Sequence, residues 1–291
     1  MGNKKQEINT ESIAKMYYLE HEANTQVANS MRLIYRLQGW SGAKIERRIP
    51  AIKASVWRAY AQPSYYKGRP LHTACAMAWL MQLPPKALYV GNYSELYRQG
   101  SSRVVFECFA LSALLPIAVF KHGIAILASL AESKGYAACG TVNDTLDQLD
   151  EDGDRFFMPA VLDLESFKMD YYHSVSLSLQ HYRKANNYTK REMALICNEN
   201  INRYIAYEDE TRATSMPMSV ASRLMYFAPE VLLGFLRFME PYKSYALGRH
   251  QQNLREAAVN ALMDPLDLHL QRQLRDLTRT ILITHLQRNK T

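Results

Sequence analysis

The chain has 291 residues, of which 48% are hydrophobic and 22% charged, a composition that excludes a disordered chain. Its formal net charge of +7 belongs to the first half: residues 1–145 hold 17 Lys and Arg against 9 Asp and Glu, whereas residues 146–291 hold 18 against 19. The first half is therefore the part expected to meet a polyanion.

Apolar residues recur at a helical spacing along the whole chain and glycine is sparse, so the sequence predicts an all-α fold. The predicted organisation, in chain order, is a first half (1–140) with a compact helical unit at 31–90 and apolar helices at 101–132, an acidic linker (141–160), and a second half (161–291) with a similar unit at 177–230 followed by C-terminal helices.

The longest apolar stretch runs from Val104 to Leu130 and predicts two buried helices, because a proline and three polar residues interrupt it. The four cysteines form no CxxC pair, which is typical of reduced thiols in a cytoplasmic protein. No metal-ligand spacing, glycine-rich phosphate loop or nucleophile motif is present, so we expect no cofactor, no metal and no enzymatic activity.

The two halves correspond at a nearly constant offset. Trp40-Ser41 falls on Tyr188-Thr189 and Ala59-Tyr60 on Ala206-Tyr207, at offsets of 148 and 147, and Leu71 falls on Met216 at 145. This predicts a duplication of the whole chain. The alternative is two similar units in unrelated surroundings.

Both units carry signs of short, capped helices. In the first unit a helix is expected to end at Gly39, Ser41 to cap the next, and a third helix to span 53–62 with Trp57 and Tyr60 inward. The second unit has the matching features: a cap at Thr189, a left-handed turn at Asn198, and the inward residues Tyr204 and Tyr207.

This arrangement in 31–90 and 177–230 resembles the lambda-repressor/Cro-type (XRE-like) helix-turn-helix family. The resemblance implies a sequence-specific, double-stranded DNA-binding transcriptional regulator that reads the major groove with the helix at 53–62. It further implies that the start of the second helix and the flanking loops hold phosphates, while the exposed side of the third helix reads base edges. The DNA-contacting residues that it implies are Lys44, Arg47, Arg48, Lys53, Ala54, Ser55, Arg58, Gln62, Lys67 and Arg69 in the first unit, and Lys190, Asn200, Asn202 and Arg203 in the second.

The first unit has the charge that such a role needs. Nine cations and a single acid, Glu46, lie between Arg32 and Arg69. Arg58 suits a bidentate contact with guanine and Gln62 a contact with adenine. In the second unit acids offset the cations, and exposed Ile201 and Ile205 would suit a protein contact as well as DNA.

A regulator of this kind would bind double-stranded DNA and meet RNA polymerase or another regulator, with no membrane involved. Two alternatives stay open. One is a helical protein-interaction adaptor of a phage or mobile element, whose helix-turn-helix folds are scaffolds only. The other is a basic face that merely keeps the chain in solution.

Two units in one chain also predict an architecture. The apolar helices after each unit should pack together, so that a monomer forms an internal pseudo-dimer on an asymmetric site. The alternative is a homodimer on a palindrome, in which the second unit is the dimer contact. The residues expected in the internal interface are Val104, Phe109, Leu114, Ile117 and Val119 from the first half, and Val259, Leu262, Leu266, Leu270, Leu274 and Ile281 from the second.

Overall fold

The computed structural model describes residues 9–65, 68–88, 101–136 and 139–288. Within these ranges the regular secondary structure is helical and includes no β-strand, which confirms the all-α prediction. Two 3₁₀ turns, Pro85–Ala87 and Gly153–Phe156, accompany the α-helices. The helices are α1 (Thr10–Gln38), α2 (Gly42–Arg48), α3 (Ala54–Tyr60), α4 (Leu71–Leu80), α5 (Ser101–Ser112), α6 (Ile117–Ser133), α7 (Cys139–Asp147), α8 (Leu164–Ala185), α9 (Lys190–Cys197), α10 (Ile201–Tyr207), α11 (Met218–Phe227), α12 (Pro229–Gly234), α13 (Lys243–Met263) and α14 (Leu268–Arg288).

The long apolar stretch forms two helices, α5 and α6, as predicted, with Pro116 at the N-terminus of α6. Among the described helices, none combines the length and the apolar character that a membrane span requires. Three cysteines, Cys75, Cys108 and Cys197, are buried and form no disulfide.

Local side-chain chemistry sets the ends of the first helices. The Asn9 side chain accepts a hydrogen bond from the Ser12 amide and starts α1. Gly39 ends α1 at φ 66°, a left-handed conformation that glycine adopts without strain. Ser41 then caps α2 by accepting from the Lys44 amide. The predictions for Gly39 and Ser41 are confirmed, and α3 is shorter than its predicted range of 53–62.

Helix positions repeat between the two halves. A shift of 147 residues carries α3 onto α10 and α4 onto α11, with equal lengths in each pair. Leu71 therefore corresponds to Met218 and not, as the sequence comparison suggested, to Met216. The residue before each helix supports this alignment of α4 with α11, because both helices have proline at the N-cap.

The two prolines meet each other. Pro70 and Pro217 form an isolated antiparallel bridge, in which Leu71 N donates to Met216 O at 2.8 Å and Met218 N donates to Arg69 O at 2.9 Å. Pro70 thus pairs with its own counterpart at the 147-residue shift, and the same shift turns each of the two hydrogen bonds into the other. A local two-fold axis through the bridge produces this reciprocal pattern.

Across this axis each half packs its first helix on the fourth helix of the other half. On one side α1 contacts α11, where the Lys15 ammonium lies 5.0 Å from the centroid of the Tyr226 ring. On the other side α8 contacts α4, with the Trp79 and Phe167 rings 6.0 Å apart. The two halves therefore share one continuous hydrophobic core.

The apolar helices that follow each unit also pack together, as expected. Helix α5 lies against α14, and α13 contacts both α5 and α6. A polar link at the α5–α14 contact joins Glu107 to Arg275 at 2.9 Å. Most of the residues expected in this interface are buried, whereas three are partly exposed: Leu114, Val119 and Ile281.

The acidic segment expected to be a linker at 141–160 is built into the core. It contains most of α7, which packs on α13, and the 3₁₀ turn at 153–156. Val142 and Leu146 are buried. The Asp154 carboxylate accepts from the Ile117 amide at 2.9 Å and thereby caps α6, whose own N-cap is a proline without a capping side chain. The Asp154 carboxylate thus has a structural role.

Candidate nucleic-acid interface

Helix α2 packs on α3, and an aromatic side chain of α3 packs on α1. Ile45 and Ile49 of the first unit are fully buried, and Trp57 and Tyr60 of α3 are buried, as the sequence predicted for these two aromatic residues. The Trp57 ring stacks on Tyr35 of α1 with the centroids 5.5 Å apart. This packing fixes the inner sides of α2 and α3 and leaves their outer sides exposed.

The start of α2 lies very close to α3. A Cβ atom at Gly42 would be 2.8 Å from Cβ of Ala54, so only glycine permits this approach. Helix α3 takes its cap from α2, because the Glu46 carboxylate accepts from the Ala54 amide and from Lys53 Nζ, both at 3.1 Å. These bonds lower the pKa of Glu46. Glu46, the single acid between Arg32 and Arg69, thus stabilises the start of α3.

Several of the predicted DNA-contacting side chains of the first unit lie on the exposed outer sides of α2 and α3. Arg47 and Ser55 are exposed. Lys44 Nζ donates to Gly39 O at 2.8 Å, and Arg58 Nε donates to Ala54 O at 3.3 Å within its own helix. Both side chains are nevertheless exposed to solvent.

Other predicted contacts of the first unit are more constrained. Ala54 is partly buried beside Gly42, and Lys53 is exposed but paired with Glu46. The Gln62 side chain accepts from Arg32 at 2.7 Å, which turns it toward α1. Lys67 lies outside the described residues.

Two of the predicted DNA-contacting residues, Arg48 and Arg69, make hydrogen bonds to backbone carbonyls of the fold. Arg69 is 2% exposed, and its guanidinium donates to the carbonyls of Tyr60 at 2.9 Å and Gln62 at 2.8 Å. Arg48 donates to the carbonyls of Met158 and Pro159. Burial lowers the pKa of both arginines. The burial of Arg69 corrects this residue from DNA-contacting to loop-anchoring, whereas Arg48 is only partly buried and also holds the loop at 158–159.

The second unit has the predicted local structure. Thr189 and Glu192 form a reciprocal capping box at the start of α9. Asn198 adopts the expected left-handed conformation at φ 56°. Tyr204 and Tyr207 are buried, as predicted.

The four predicted DNA contacts of the second unit divide into two that are hydrogen-bonded within the fold and two that are exposed. The Asn200 side chain caps α10 by accepting from the Arg203 amide at 2.8 Å. The Arg203 guanidinium donates to the Tyr207 hydroxyl at 3.3 Å and to Ser215 O at 3.0 Å. Lys190 and Asn202 are exposed. Of the four predicted residues, two are thus engaged in the fold.

A buried polar network connects the C-terminal end of α10 to α8. Glu208 accepts from Arg183 Nε and from the Tyr204 hydroxyl, both at 2.6 Å. Burial is the main cause of the raised pKa of Tyr204, and the bond to Glu208 adds to it. The sequence did not indicate this network, because the partner Arg183 belongs to α8.

Comparison of the chain with protein-family models, with curated proteins and with solved structures found no match. The assignment to the helix-turn-helix family therefore stays a prediction that rests on the residues described above.

Proposed function

We propose that the protein is a cytoplasmic transcriptional regulator that binds double-stranded DNA in a sequence-specific manner through α2 and α3. The observation that carries this proposal is the group of exposed cations on these adjoining helices, Lys44, Arg47, Lys53 and Arg58, with Glu46 as the only acid among them. Long cationic side chains on a short exposed helix match the way in which helix-based readers contact phosphates and guanine edges. RNA polymerase or another regulator is the protein partner that this function implies.

A gel-shift titration with random and with selected duplexes, at two salt concentrations, tests the function. We expect tight, sequence-dependent binding that weakens steeply with salt. Weak binding that ignores sequence and occurs only at low salt would instead support a basic face without a regulatory role.

Arg58 is the residue expected to read a base. Its replacement by alanine should cost about 1–3 kcal/mol on the selected site and relax the preference at one base position, because a bidentate contact is lost. Selection of bound sequences with the wild-type chain and with the variant measures both effects. Val56 of the same helix is also exposed, and Val56→Ala serves as the matched control. An unchanged preference in Arg58→Ala would show that α3 does not lie in the groove as proposed.

Arg47 is the residue expected to hold a phosphate. The Arg47→Ala variant should weaken binding to all sequences alike and reduce the slope of log K against log salt by about one unit. Lys134→Ala removes an exposed cation after α6, away from the interface, and should change neither quantity. If both variants behave alike, the effect is one of net charge and not of a specific contact.

A further inference from the structure

A cleft of about 710 Å³ opens between α8 and the chain that joins α12 to α13. One wall is a stripe of α8 made of Asp170, His173 and Leu177, whose spacing of three and four residues places them on the same side of the helix. The opposite wall is formed by residues 237–241 and Lys243. The volume lies within the range of roughly 300–1,000 Å³ that is typical of small-molecule sites.

Hydrogen bonds to α8 fix the second wall of the cleft in place. The two carboxylate oxygens of Asp170 accept from the Glu240 amide at 3.1 Å and from the Tyr242 amide at 3.0 Å. The Ser174 hydroxyl accepts from the Phe238 amide at 3.0 Å. Asp170 and Ser174 are both buried, so these bonds are shielded from water. The cleft is therefore preformed, and a ligand does not have to order its walls.

The charged groups of the cleft favour an anion. Both oxygens of Asp170 are already bonded to backbone amides, which compensate part of its charge. At neutral pH the other charged side chains of the lining are the cations Arg237 and Lys243 and the acid Glu240, and all three are exposed. Within the described ranges none of these three forms an ion pair. Two cations and one acid are thus available to a ligand, a balance that suits a single anionic group.

Apolar residues line the same cleft, namely Leu177, Phe238, Met239 and Pro241. Leu177 and Phe238 are only partly buried, so each keeps apolar surface outside the core. The Arg237 guanidinium lies 5.5 Å from the centroid of the Phe238 ring, which brings one of the two cations next to this apolar surface. A ligand that joins an anionic group to an apolar or aromatic body matches both features.

We propose that this cleft binds a small organic molecule that carries one carboxylate, sulfonate or phosphate group on an apolar body. Arg237 and Lys243 hold the anionic group, while Leu177 and Phe238 contact the body. A few polar groups that orient a ligand over an apolar lining are the usual composition of a small-molecule site. The residues that line the cleft include none of α2 or α3, so the proposal does not depend on the proposed function.

Fluorescence titration with anilinonaphthalene sulfonate, an aromatic sulfonate, tests the site without DNA. The wild-type chain should bind it in a saturable manner. Arg237→Gln and Lys243→Gln should each weaken binding by about tenfold, because each removes a charged hydrogen bond to the sulfonate. Arg279→Gln removes an exposed cation of α14, changes the net charge equally and should bind as the wild type does. A wild-type chain without saturable binding, or cleft variants that bind like Arg279→Gln, overturns the proposal.

A second arm uses phenylnaphthylamine, which has the same rings without the sulfonate. Arg237→Gln should leave its affinity unchanged, whereas an equal loss of both probes would show that no anion contact is made there and would overturn the proposal. Thermal unfolding checks that each variant is folded. Displacement of the bound sulfonate by indole acetate would assign a carboxylate ligand, and displacement by adenosine monophosphate a phosphate ligand. Displacement by neither compound would contradict the proposed ligand class.

Discussion

The Arg255→Ala variant is expected to lose about 3–5 kcal/mol of unfolding free energy, because a large buried side chain and its charged hydrogen bonds are removed together. Arg255 NH1 donates to Ala113 O at 2.9 Å and to Leu115 O at 2.8 Å, at the corner between α5 and α6. The guanidinium also lies against the rings of Phe120 and Phe157. Without it, both carbonyls lose a partner in a region that water does not reach easily.

The charge of Arg255 persists at neutral pH despite its burial. Desolvation lowers the pKa of the guanidinium to about 10, and Asp154 at 3.6 Å partly opposes this shift. Denaturant unfolding of the wild type, Arg255→Ala and Arg255→Met separates the two contributions, since methionine restores much of the volume but neither hydrogen bond. Arg279→Ala on the exposed side of α14 is the control. A loss below 1 kcal/mol in Arg255→Ala would mean that the α5–α6 corner does not depend on this side chain.

The protein should also lose about 3 kcal/mol of unfolding free energy through His72 as the pH falls from about 6.5 to about 4. His72 is buried in α4, and its Nδ1 lies 3.2 Å from the Tyr172 hydroxyl. Burial lowers the pKa of the imidazole to about 4, with Lys168 contributing in the same direction and Glu165 opposing. In this pH window the unfolded chain binds a proton that the folded chain does not. Stability is therefore full above pH 6.5 and declines below it.

The difference between the wild type and His72→Gln isolates this effect from the titration of the carboxylates. The variant should be less stable than the wild type at pH 7, and the gap should narrow steadily toward pH 4. Ile283→Ala, at an exposed position of α14 and with no titratable group, should keep a constant difference over the same range. A constant difference for His72→Gln as well would contradict the depressed pKa.

The sequence was informative wherever neighbouring residues decide the structure. The left-handed ends at Gly39 and Asn198 and the caps at Ser41 and Thr189 were predictable, because each depends on a side chain or a backbone preference within a single turn. The inward aromatic residues of α3 and α10 followed from helical periodicity. Whether the exposed residues of these helices touch DNA depends on a partner that the chain alone does not display.

Distant contacts account for the predictions that the structure corrects. Arg69 resembles a loop cation in the sequence, but the carbonyls of Tyr60 and Gln62 surround it once the loop closes. The acidic segment resembles a linker, yet Arg255, about a hundred residues later, pairs with Asp154 and anchors it. Neither partner can be recognised from spacing along the chain.

The crosswise packing of the first and fourth helices has a consequence for synthesis on the ribosome. The apolar side of α1 is fully covered only after α11 has left the ribosome, and α11 begins 180 residues after the end of α1. At about 5–20 residues per second, this takes roughly 10–40 s. During that interval Met16 and the residues near it have no native neighbour from the second half, and α8 in turn needs an already formed α4. The nascent chain therefore completes its fold late, at a stage when its early helices are open to aggregation or to chaperones.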